Sequence, residues 1–371
     1  MRVLFSTDQI YLHGGIEKVL AEKANYFRES CNFEVMILTT EQKNNPPRYP
    51  LSSGILMEDL AVNYHRNRSF FHPLNLAKVP MHWIKRRRAI ARFKPDVIIV
   101  CNYALDFVWT PFFDTKVPKI KEFHSSGFRL PAKRAQKFNL RQKLDDFVLS
   151  KFDAVVLLNA SEKSFYPTAK SVVIPNPIPV SETPSAEKKK IILAAGRIAP
   201  VKNFEALLKI WKLASAQLPD WNLHIYGDGD AIYIDSLKQQ IQRDQLPGAT
   251  IFPATAELPN KMAEASLYVM TSHTECFPMV LLEALRAGLP VISFDCPTGP
   301  GHIVSHEQDG ILVPHQNIEE FARKIVLLAG NPEQRNEMSG KGRQLVKRFQ
   351  PETVMPLWLK LFQSLNKEHV D

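Results

Sequence analysis

The chain has 371 residues, of which 45% are hydrophobic and 23% are charged. This composition is typical of a folded globular protein, and the length allows two domains of ordinary size. The formal net charge is +9, and basic residues outnumber acidic ones only in the first half. No uncharged apolar run approaches the roughly 18 residues that a membrane-spanning helix needs, so we expect none.

The cysteines and the first residues indicate a cytosolic protein. The four cysteines are scattered without a CxxC pair, which favours reduced thiols over a disulfide framework. Asp8 follows the start too closely for the apolar core of a signal peptide. We therefore expect a cytoplasmic protein that could also bind the inner face of the cytoplasmic membrane.

Short apolar runs separated by helical segments predict a parallel sheet in the first half. The predicted strands span residues 3–7, 33–39, 96–101, 118–123, 154–158 and 171–174. After the first strand, Gly14 and Gly15 open a helix over 16–28, and we expect these glycines to supply positive φ and close approach to a ligand. His124 ends a later strand, where it could bind a ligand or serve only a structural role.

Two segments of the first half concentrate positive charge. They span residues 82–93 and 129–143, and both predict basic amphipathic helices or helical loops. Such segments suit anionic lipid headgroups or a lipid-pyrophosphate acceptor, although a solvated surface would have the same pattern. Charge alone would also allow nucleic acid, but no recognised nucleic-acid motif occurs, so we expect none to bind.

The pattern restarts after a stiff, polar linker at residues 175–190. Strands are predicted at 190–195, 221–226, 250–252, 265–272, 291–294 and 311–313, with a helix over 203–217. This repetition predicts two successive doubly wound α/β domains that bind ligands at the carboxyl ends of their strands. We place the domains at 1–180 and 181–348, followed by a C-terminal helix within 349–371.

Two loops of the second half carry candidate ligand-binding residues. Gly196 and Arg197 end a strand, and Lys202 follows just before a helix. The glycine permits a tight turn, and the two cations could bracket a diphosphate and stabilise charge that develops on it. Gly227 ends the next strand and could lie against the nucleobase and ribose of a nucleotide. Surface cations and an ordinary turn are the alternatives.

The segment 274–284 places two glutamates eight positions apart. Pro278 suits a first helical turn, so Glu275 should precede a helix and Glu283 should lie within it. The free N–H groups and the dipole at that helix start favour a phosphate. One carboxylate could then meet a sugar hydroxyl and the other a ribose, which is what a nucleotide-sugar requires. A helix with one surface glutamate and one buried glutamate is the alternative.

This segment resembles the E-x7-E motif of retaining GT-B glycosyltransferases, the large glycosyl transferases group 1 or family 4. Residues 14–19 resemble its G-G-x-E-R-V loop, and residues 196–203 resemble its G-R-x-x-x-x-K-G loop, with Asn203 in place of the last glycine. Residues 297–301 resemble the P-T-G-P segment of the polysaccharide-biosynthesis type. The resemblance covers the second half closely and the first half loosely.

The resemblance implies a GT-B fold, in which two Rossmann-like domains face a cleft and the last helix crosses back to the first domain. It implies a retaining hexosyltransferase that moves a sugar from a nucleotide-sugar, with UDP expected, to a glycan or lipid-linked acceptor. Cell-surface polysaccharide or glycolipid would be the product, and no metal or other cofactor is expected, because Arg197, Lys202 and helix N–H groups would meet the diphosphate charge.

The family's roles carry over to named positions. The residues expected to act in catalysis are Glu275, Arg197, Lys202 and His124, the last by lining the transferred sugar. Donor-binding residues are expected to be Gly14, Gly15, Gly196, Arg197, Lys202, Gly227, Glu275, Phe277, Pro278, Met279, Val280 and Glu283. Cys276 and Pro278 stand where many relatives have glycine, which changes the expected backbone contacts to the sugar.

Two other functions are compatible with the sequence. A GT-B sugar phosphorylase would share the fold and differ by using inorganic phosphate as co-substrate. A non-catalytic binder of anionic lipid or nucleic acid would show salt-sensitive binding without nucleotide turnover.

Overall fold

The structure, a computed structural model, describes residues 1–69, 72–102, 105–112, 116–128, 140–179 and 186–368. The chain forms two compact units, which we call the first and second domains. The first comprises residues 1–179 together with 351–371, and the second comprises residues 180–350.

The first domain is built on a seven-stranded parallel sheet. Its strands are β1 (Arg2–Thr7), β2 (Glu34–Thr39), β3 (Leu56–Asp59), β4 (Val97–Val100), β5 (Lys119–Glu122), β6 (Ala154–Leu157) and β7 (Ser171–Val173). Their order is β3-β2-β1-β4-β5-β6-β7. The sequence did not predict β3, because this short edge strand exposes Leu56 and Met57 and has no buried apolar run.

Helices cover both faces of this sheet. They are α1 (Gly15–Glu29), α2 (Pro73–Leu76), α3 (Val79–Phe93), α4 (Leu105–Trp109) and α5 (Leu140–Leu149). The C-terminal helix, Pro351–Glu368, packs Trp358 and Phe362 into the same core as β1 and α1. The rings of Phe27 and Phe362 lie 5.4 Å apart. The predicted return of the last helix to the first domain is therefore confirmed.

The second domain repeats the architecture with six parallel strands. They are β8 (Ile191–Ala195), β9 (Asn222–Tyr226), β10 (Ala249–Phe252), β11 (Leu267–Met270), β12 (Val291–Asp295) and β13 (Gly310–Pro314), in the order β10-β9-β8-β11-β12-β13. The helices are α6 (Phe204–Ser215), α7 (Ala231–Arg243), α8 (Leu258–Glu264), α9 (Met279–Arg286), α10 (Ile318–Gly330) and α11 (Pro332–Leu345). The predicted pair of Rossmann-like α/β domains is confirmed.

The topology of the second sheet determines which loops meet. The strand order reverses direction at β8, which lies between β9 and β11. Tyr268 of β11 is in register with Leu193 of β8. The loops that follow these two strands therefore emerge side by side, although they are some seventy residues apart in the chain. Ligands of doubly wound folds bind at such a switch point, at the carboxyl ends of the strands.

The first basic segment, residues 82–93, is only partly exposed to solvent. In α3, Arg87 and Arg88 are exposed, but His82 and Arg86 are buried, and Arg86 has no exposed area. The Arg86 guanidinium donates to Ser6 Oγ and Thr110 Oγ1, each at 2.8 Å, and lies 3.2 Å from Asp106 Oδ1. The prediction of a solvated or ligand-facing cation is wrong at Arg86, because a buried carboxylate and two hydroxyls hold it inside.

The second basic segment lies mostly outside the described residues, since 129–139 belong to one of the gaps. Its described end forms the start of α5. Across the described ranges, no helix combines the length and the apolar character that crossing a bilayer would require.

Candidate functional site

The loop after β8 adopts a conformation that depends on two particular residues. Gly196 has φ +152°, a value that residues with a side chain rarely adopt. The chain then makes a short 3-10 turn, Pro200–Lys202, and Asn203, the residue just before α6, has φ 54° and ψ 46°. Asparagine tolerates this left-handed region better than most residues. Asn203, which stands where the family motif has glycine, therefore adopts a backbone conformation that glycine could also adopt.

Gly227 is required by packing of one backbone on another. A Cβ atom at Gly227 would lie 2.0 Å from the carbonyl oxygen of Gly196, and one at Gly229 would lie 1.9 Å from that of Ile198. Ile198 N–H donates to the Asp228 carbonyl at 2.8 Å in the same contact. The glycines hold the loops after β8 and β9 together, while the predicted contact of Gly227 with a donor stays a prediction.

The two glutamates lie where the helix prediction placed them. Helix α9 begins at Met279, and Pro278 precedes it with an extended backbone, φ −71° and ψ 98°. Glu275 lies in the loop before the helix and Glu283 lies inside it, and both are half-buried. The ring of Phe277 is buried against Phe349, with 5.5 Å between centroids. Only its backbone could then serve the predicted donor contact.

Glu275 and Lys202 are in direct contact. Lys202 Nζ donates to Glu275 Oε1 at 2.5 Å, and their side chains are 23% and 12% exposed. The hydroxyl of Ser272, a buried residue, donates to the same oxygen at 2.7 Å. Among the described residues, no hydrogen bond reaches Oε2. The carboxylate is thus held by one oxygen and presents the other.

The segment Pro297–Gly301 supports Glu275 from another side. The Thr298 hydroxyl donates to the Glu275 carbonyl at 2.6 Å, and Thr298 itself has φ 74°. A Cβ atom at Gly299 would lie 2.6 Å from Glu275 Cβ, so only glycine allows the loop to approach this closely. The P-T-G-P resemblance therefore has a local physical basis in the placement of Glu275.

A small pocket opens at the carboxyl ends of β8 and β11. Lys202, Phe204, Ser272 and Val280 contribute to its lining, as does Tyr268. The Tyr268 hydroxyl accepts from Ala195 N–H at 3.2 Å and donates to the Ala195 carbonyl at 3.0 Å, which ties the two strand ends together. At this pocket the loop after β8, which the sequence predicted to bind a diphosphate, lies next to the start of α9.

Arg197 and Thr274 also lie beside these loops. Arg197 is exposed beside Gly196. The Thr274 hydroxyl, next to Glu275, is buried and has no hydrogen-bond partner among the described residues. The sequence reasoning did not identify Thr274 or Ser272, and the only signal for Ser272 was its position three residues before a glutamate, as in a capping box.

The Gly14–Gly15 turn differs from the expectation for it. Gly14 has φ −146°, in the extended region, and neither glycine has positive φ. The prediction of a left-handed backbone there is wrong. Gly15 is the first residue of α1, and a Cβ atom on it would meet nothing within 4 Å. Gly15 therefore leaves open space beside the helix start, whereas a Cβ atom at Gly14 would lie 2.2 Å from Glu17 Oε2.

His124 lies two residues after β5, within a buried group of charged and polar side chains. Its Nε2 is 3.4 Å from Glu122 Oε2, and the Cys101 thiol lies 3.7 Å from the same oxygen. Lys23 Nζ contacts both oxygens of Glu122, and each of these side chains is only 1% exposed. Burial opposes ionisation of Glu122, but the charges of Lys23 and His124 outweigh it and hold the Glu122 pKa below its usual range.

The structure brings together three side chains that could ligate a metal. One donor atom each from Cys101, Glu122 and His124 lies within 4.8 Å of the others, which sequence spacing did not reveal. However, the Lys23 ammonium already binds both Glu122 oxygens, and burial raises the Cys101 thiol pKa to about 12. A buried ammonium and a protonated thiol do not suit a divalent cation, so this group fits an ion-pair core better than a metal site.

Comparison with known proteins places the chain in a family. The family model described as Glycosyl transferases group 1 matches residues 180–345. The model described as Glycosyltransferase Family 4 matches residues 13–182. Together the two matches run through both domains. The chain belongs to the group 1 glycosyltransferases with the GT-B fold.

Individual relatives are more distant. An uncharacterized glycosyltransferase of Haemophilus influenzae is 32% identical over 56% of this chain and 60% of its own length. The amylovoran biosynthesis glycosyltransferase AmsD of Erwinia amylovora is 30% identical over 58% of this chain and 64% of its own length. The matched regions thus span less than two thirds of these relatives.

A solved structure shares the fold over the whole chain. Anabaena Alr3699/HepE in complex with UDP-glucose is 18% identical, with a TM-score of 0.73, and the match covers 100% of this chain and 98% of that one. This similarity concerns the fold.

Proposed function

We propose that this protein transfers a sugar from a nucleotide-sugar to a glycan or lipid-linked acceptor in the synthesis of a cell-surface polymer. The observation that carries the proposal is the contact of Lys202 and Ser272 with Glu275 beside the start of α9. Family membership and the AmsD relative, by its name a glycosyltransferase of amylovoran biosynthesis, support the class of reaction.

The short distance between Lys202 and Glu275 suits a nucleotide-sugar. In such a donor the terminal phosphate is bonded directly to the anomeric carbon of the sugar. A group that meets the diphosphate and a group that meets the sugar must therefore lie within a few ångströms of each other. The 2.5 Å contact satisfies this requirement. Lys202 can stabilise negative charge as the nucleoside diphosphate leaves, which is the electrostatic role that commonly contributes most to catalysis.

The remaining donor contacts follow from the position of each residue. Arg197 is exposed next to the Gly196 turn and would meet the diphosphate with Lys202. The N–H groups at the start of α9, around Met279 and Val280, would meet phosphate. Glu283, about one helical turn after Met279, would bind the ribose hydroxyls. The roles that the resemblance implies for His124, Gly14 and Gly15 in binding the sugar and the acceptor stay predictions.

We infer a UDP-linked donor and transfer with retention at the anomeric carbon. The donor inference is supported by the fold shared with a protein whose structure holds UDP-glucose, and retention by the E-x7-E resemblance. We also infer that no metal is needed, because Lys202, Arg197 and helix N–H groups supply the positive charge. Chelation by EDTA should leave turnover unchanged, and loss of turnover that magnesium or manganese restores would contradict this inference.

The first test is thermal unfolding of the purified protein with UDP, GDP, ADP or inorganic phosphate, without added metal. A ligand that binds only the native state must raise its stability. We expect a selective shift with UDP. A shift with GDP or ADP instead would change the donor class. No shift with any nucleotide, or a requirement for phosphate as co-substrate in turnover, would overturn the transferase proposal.

The second test is mutational. Lys202→Ala and Glu283→Ala should each preserve folding, judged by circular dichroism, and reduce transfer from UDP-sugar at least about tenfold, since each removes a charged contact to the donor. Lys209→Ala, an exposed lysine of α6, is the matched control and should transfer normally. Near-normal activity in both site variants would refute the assignment. The anomeric configuration of the product, read by NMR, tests retention directly.

A further inference from the structure

The buried pair of Lys23 and Glu122 has a further neighbour, His124. Both carboxylate oxygens of Glu122 contact Lys23 Nζ, and one of them, Oε2, also lies 3.4 Å from His124 Nε2. Glu122 ends β5 and His124 follows two residues later, so the two side chains emerge on the same face of the chain. The carboxylate therefore lies between a buried ammonium and an imidazole for which the resemblance implies a role at the transferred sugar.

Stability alone does not account for this ion pair. Replacing a buried pair by apolar side chains of similar volume often leaves a protein equally stable or more stable. The surroundings suit such side chains, because Lys23 Nζ lies over the rings of Phe5 and Trp358 in the core of the first domain. An apolar side chain at position 122 could not, however, accept a hydrogen bond from His124.

The carboxylate determines which ring nitrogen of His124 carries a hydrogen. Nε2 is buried, and no acceptor among the described residues lies closer to it than Glu122 Oε2. The 3.4 Å separation is long for a hydrogen bond, as is common for catalytic side chains before substrate binds. A carboxylate facing Nε2 favours a hydrogen on that nitrogen in both the neutral and the protonated ring. The other nitrogen, Nδ1, receives no hydrogen bond from the described part of the chain, which leaves it for a ligand.

The other polar side chains near Glu122 do not take the place of Lys23. The Cys101 thiol donates to Oε2 at 3.7 Å, and burial raises its pKa to about 12, so it stays neutral. The Lys121 ammonium donates to two backbone carbonyls, at 3.1 and 2.7 Å. Lys23 is therefore the cation that fixes the Glu122 carboxylate, and Oε2 is the oxygen directed at His124.

We propose that Glu122 is a positioning residue whose carboxylate, fixed by Lys23, holds the His124 ring with Nε2 turned inward and Nδ1 presented to the sugar. The neutral ring would accept a hydrogen bond from a sugar hydroxyl at Nδ1, and the protonated ring would donate one. This inference rests on the proposed function, in which His124 acts on the transferred sugar.

Two double variants separate the contact with His124 from the ion pair. Lys23→Met with Glu122→Gln and Lys23→Met with Glu122→Met both remove the two buried charges. Only the glutamine keeps an oxygen that can accept from His124 Nε2. Its amide also buries N–H groups that lose their contacts with water, so the glutamine variant should be no more stable than the methionine variant.

The rate of transfer should therefore not follow stability. We expect the methionine variant to lose at least about tenfold in kcat and the glutamine variant to stay within about threefold of wild type. Thermal stabilisation by UDP should be unchanged in both, because the donor diphosphate is expected to bind the second domain. His124→Ala should cost about tenfold in the wild-type protein and little in the methionine variant, where the contact is already lost. Equal transfer by the two double variants, or an equal cost of His124→Ala in both backgrounds, would overturn the proposal.

A second measurement needs no turnover. In protein labelled with 15N-histidine, the hydrogen on His124 Nε2 should give a downfield NMR resonance, assigned by its loss in His124→Ala. We expect this resonance in wild type and in the glutamine variant but not in the methionine variant. The same resonance in all three would overturn the positioning role, whatever the protein catalyses. The expected resonances in a wild-type protein that transfers no sugar would support the positioning of His124 and refute the proposed function instead.

Discussion

Replacing Lys23 by methionine should strongly destabilise the first domain. Lys23 and Glu122 are each 1% exposed and form an ion pair inside the core, so the substitution leaves a buried carboxylate without its main counter-charge. Breaking a buried pair from one side costs about 3–5 kcal/mol. For a domain of this size, 1 kcal/mol lowers the melting temperature by about 2–4 °C, so the expected loss is roughly 6–20 °C.

Methionine is a suitable probe because it keeps the apolar contacts of the lysine stem. Lys23 Nζ lies 4.8 Å from the Trp358 ring centre and 5.7 Å from that of Phe5, and a thioether can pack against both rings. The double variant Lys23→Met with Glu122→Met removes both charges and should recover most of the lost stability. Lys18→Met, on the same helix but only partly buried, is the control and should change stability little.

The assay is differential scanning calorimetry, supported by intrinsic tryptophan fluorescence, to which Trp358, buried in the same core, contributes. A melting temperature of Lys23→Met within about 2 °C of wild type would refute the reasoning, because it would correspond to less than about 1 kcal/mol. A double variant no more stable than the single one would also refute it, since the loss would then reflect packing and not an unpaired charge.

The same pair predicts a dependence of stability on pH. The Glu122 pKa is lowered from its ordinary 4.5, where burial opposes the shift but the Lys23 and His124 charges prevail. A carboxyl whose folded pKa is depressed stabilises the native state above its unfolded pKa and loses that contribution as pH falls through the folded value. Wild-type stability should therefore decline below about pH 4.5, and the double methionine variant should decline less. Equal declines would contradict this account.

Three further predictions concern the second domain. Ser272→Ala should preserve folding and slow transfer about tenfold to a hundredfold, because it removes a hydrogen bond to the Glu275 carboxylate. The control is Ser293→Ala, which should transfer normally in the same assay. Ser293 is equally buried but donates only to a backbone carbonyl. Asn203→Gly should be neutral in urea unfolding while Asn203→Ala costs about 1 kcal/mol, because φ at this position is 54°. Gly227→Ala should lower the melting temperature by more than Gly15→Ala, because only the first would place a Cβ against a backbone oxygen.

The sequence predicted those features that local pattern determines. Apolar runs located the strands of both sheets except β3, and Pro278 with the residues after it located the start of α9. Contacts between residues that are far apart in the chain could not be predicted from the sequence. Lys202 and Glu275 are 73 positions apart, and Lys23 and Glu122 are 99 apart, so neither ion pair has a local signal. The first becomes a contact because the neighbouring strands β8 and β11 bring the loops that follow them together, and the second because α1, which carries Lys23, packs on the sheet that carries Glu122.

Charge and glycine content misled the prediction in two places for physical reasons. A run of basic residues shows where charge lies in the sequence but not whether each side chain is buried. Arg86 can be buried because Asp106 balances its charge and Ser6 and Thr110 accept its hydrogen bonds. A Gly-Gly pair indicates that the backbone is free to adopt positive φ, but it does not predict which conformation is adopted. Gly14 has an extended backbone. Sequence resemblance located candidate donor residues such as Glu275, whereas the hydrogen bond by which Ser272 holds this carboxylate was established only by the structure.

The way Glu275 is held bears on its chemical role. Lys202 and Ser272 both donate to Oε1, and a carboxylate stabilised by a cation and a hydroxyl is a weaker nucleophile than a free one. We infer that Glu275 positions the sugar through Oε2 and supports positive charge at the anomeric carbon without forming a bond to it. Glu275→Gln, which keeps an oxygen for the Ser272 and Lys202 contacts, should then retain measurable transfer with unchanged stereochemistry. A covalent glycosyl adduct on Glu275, detected by mass spectrometry of the protein quenched during turnover, would refute this role.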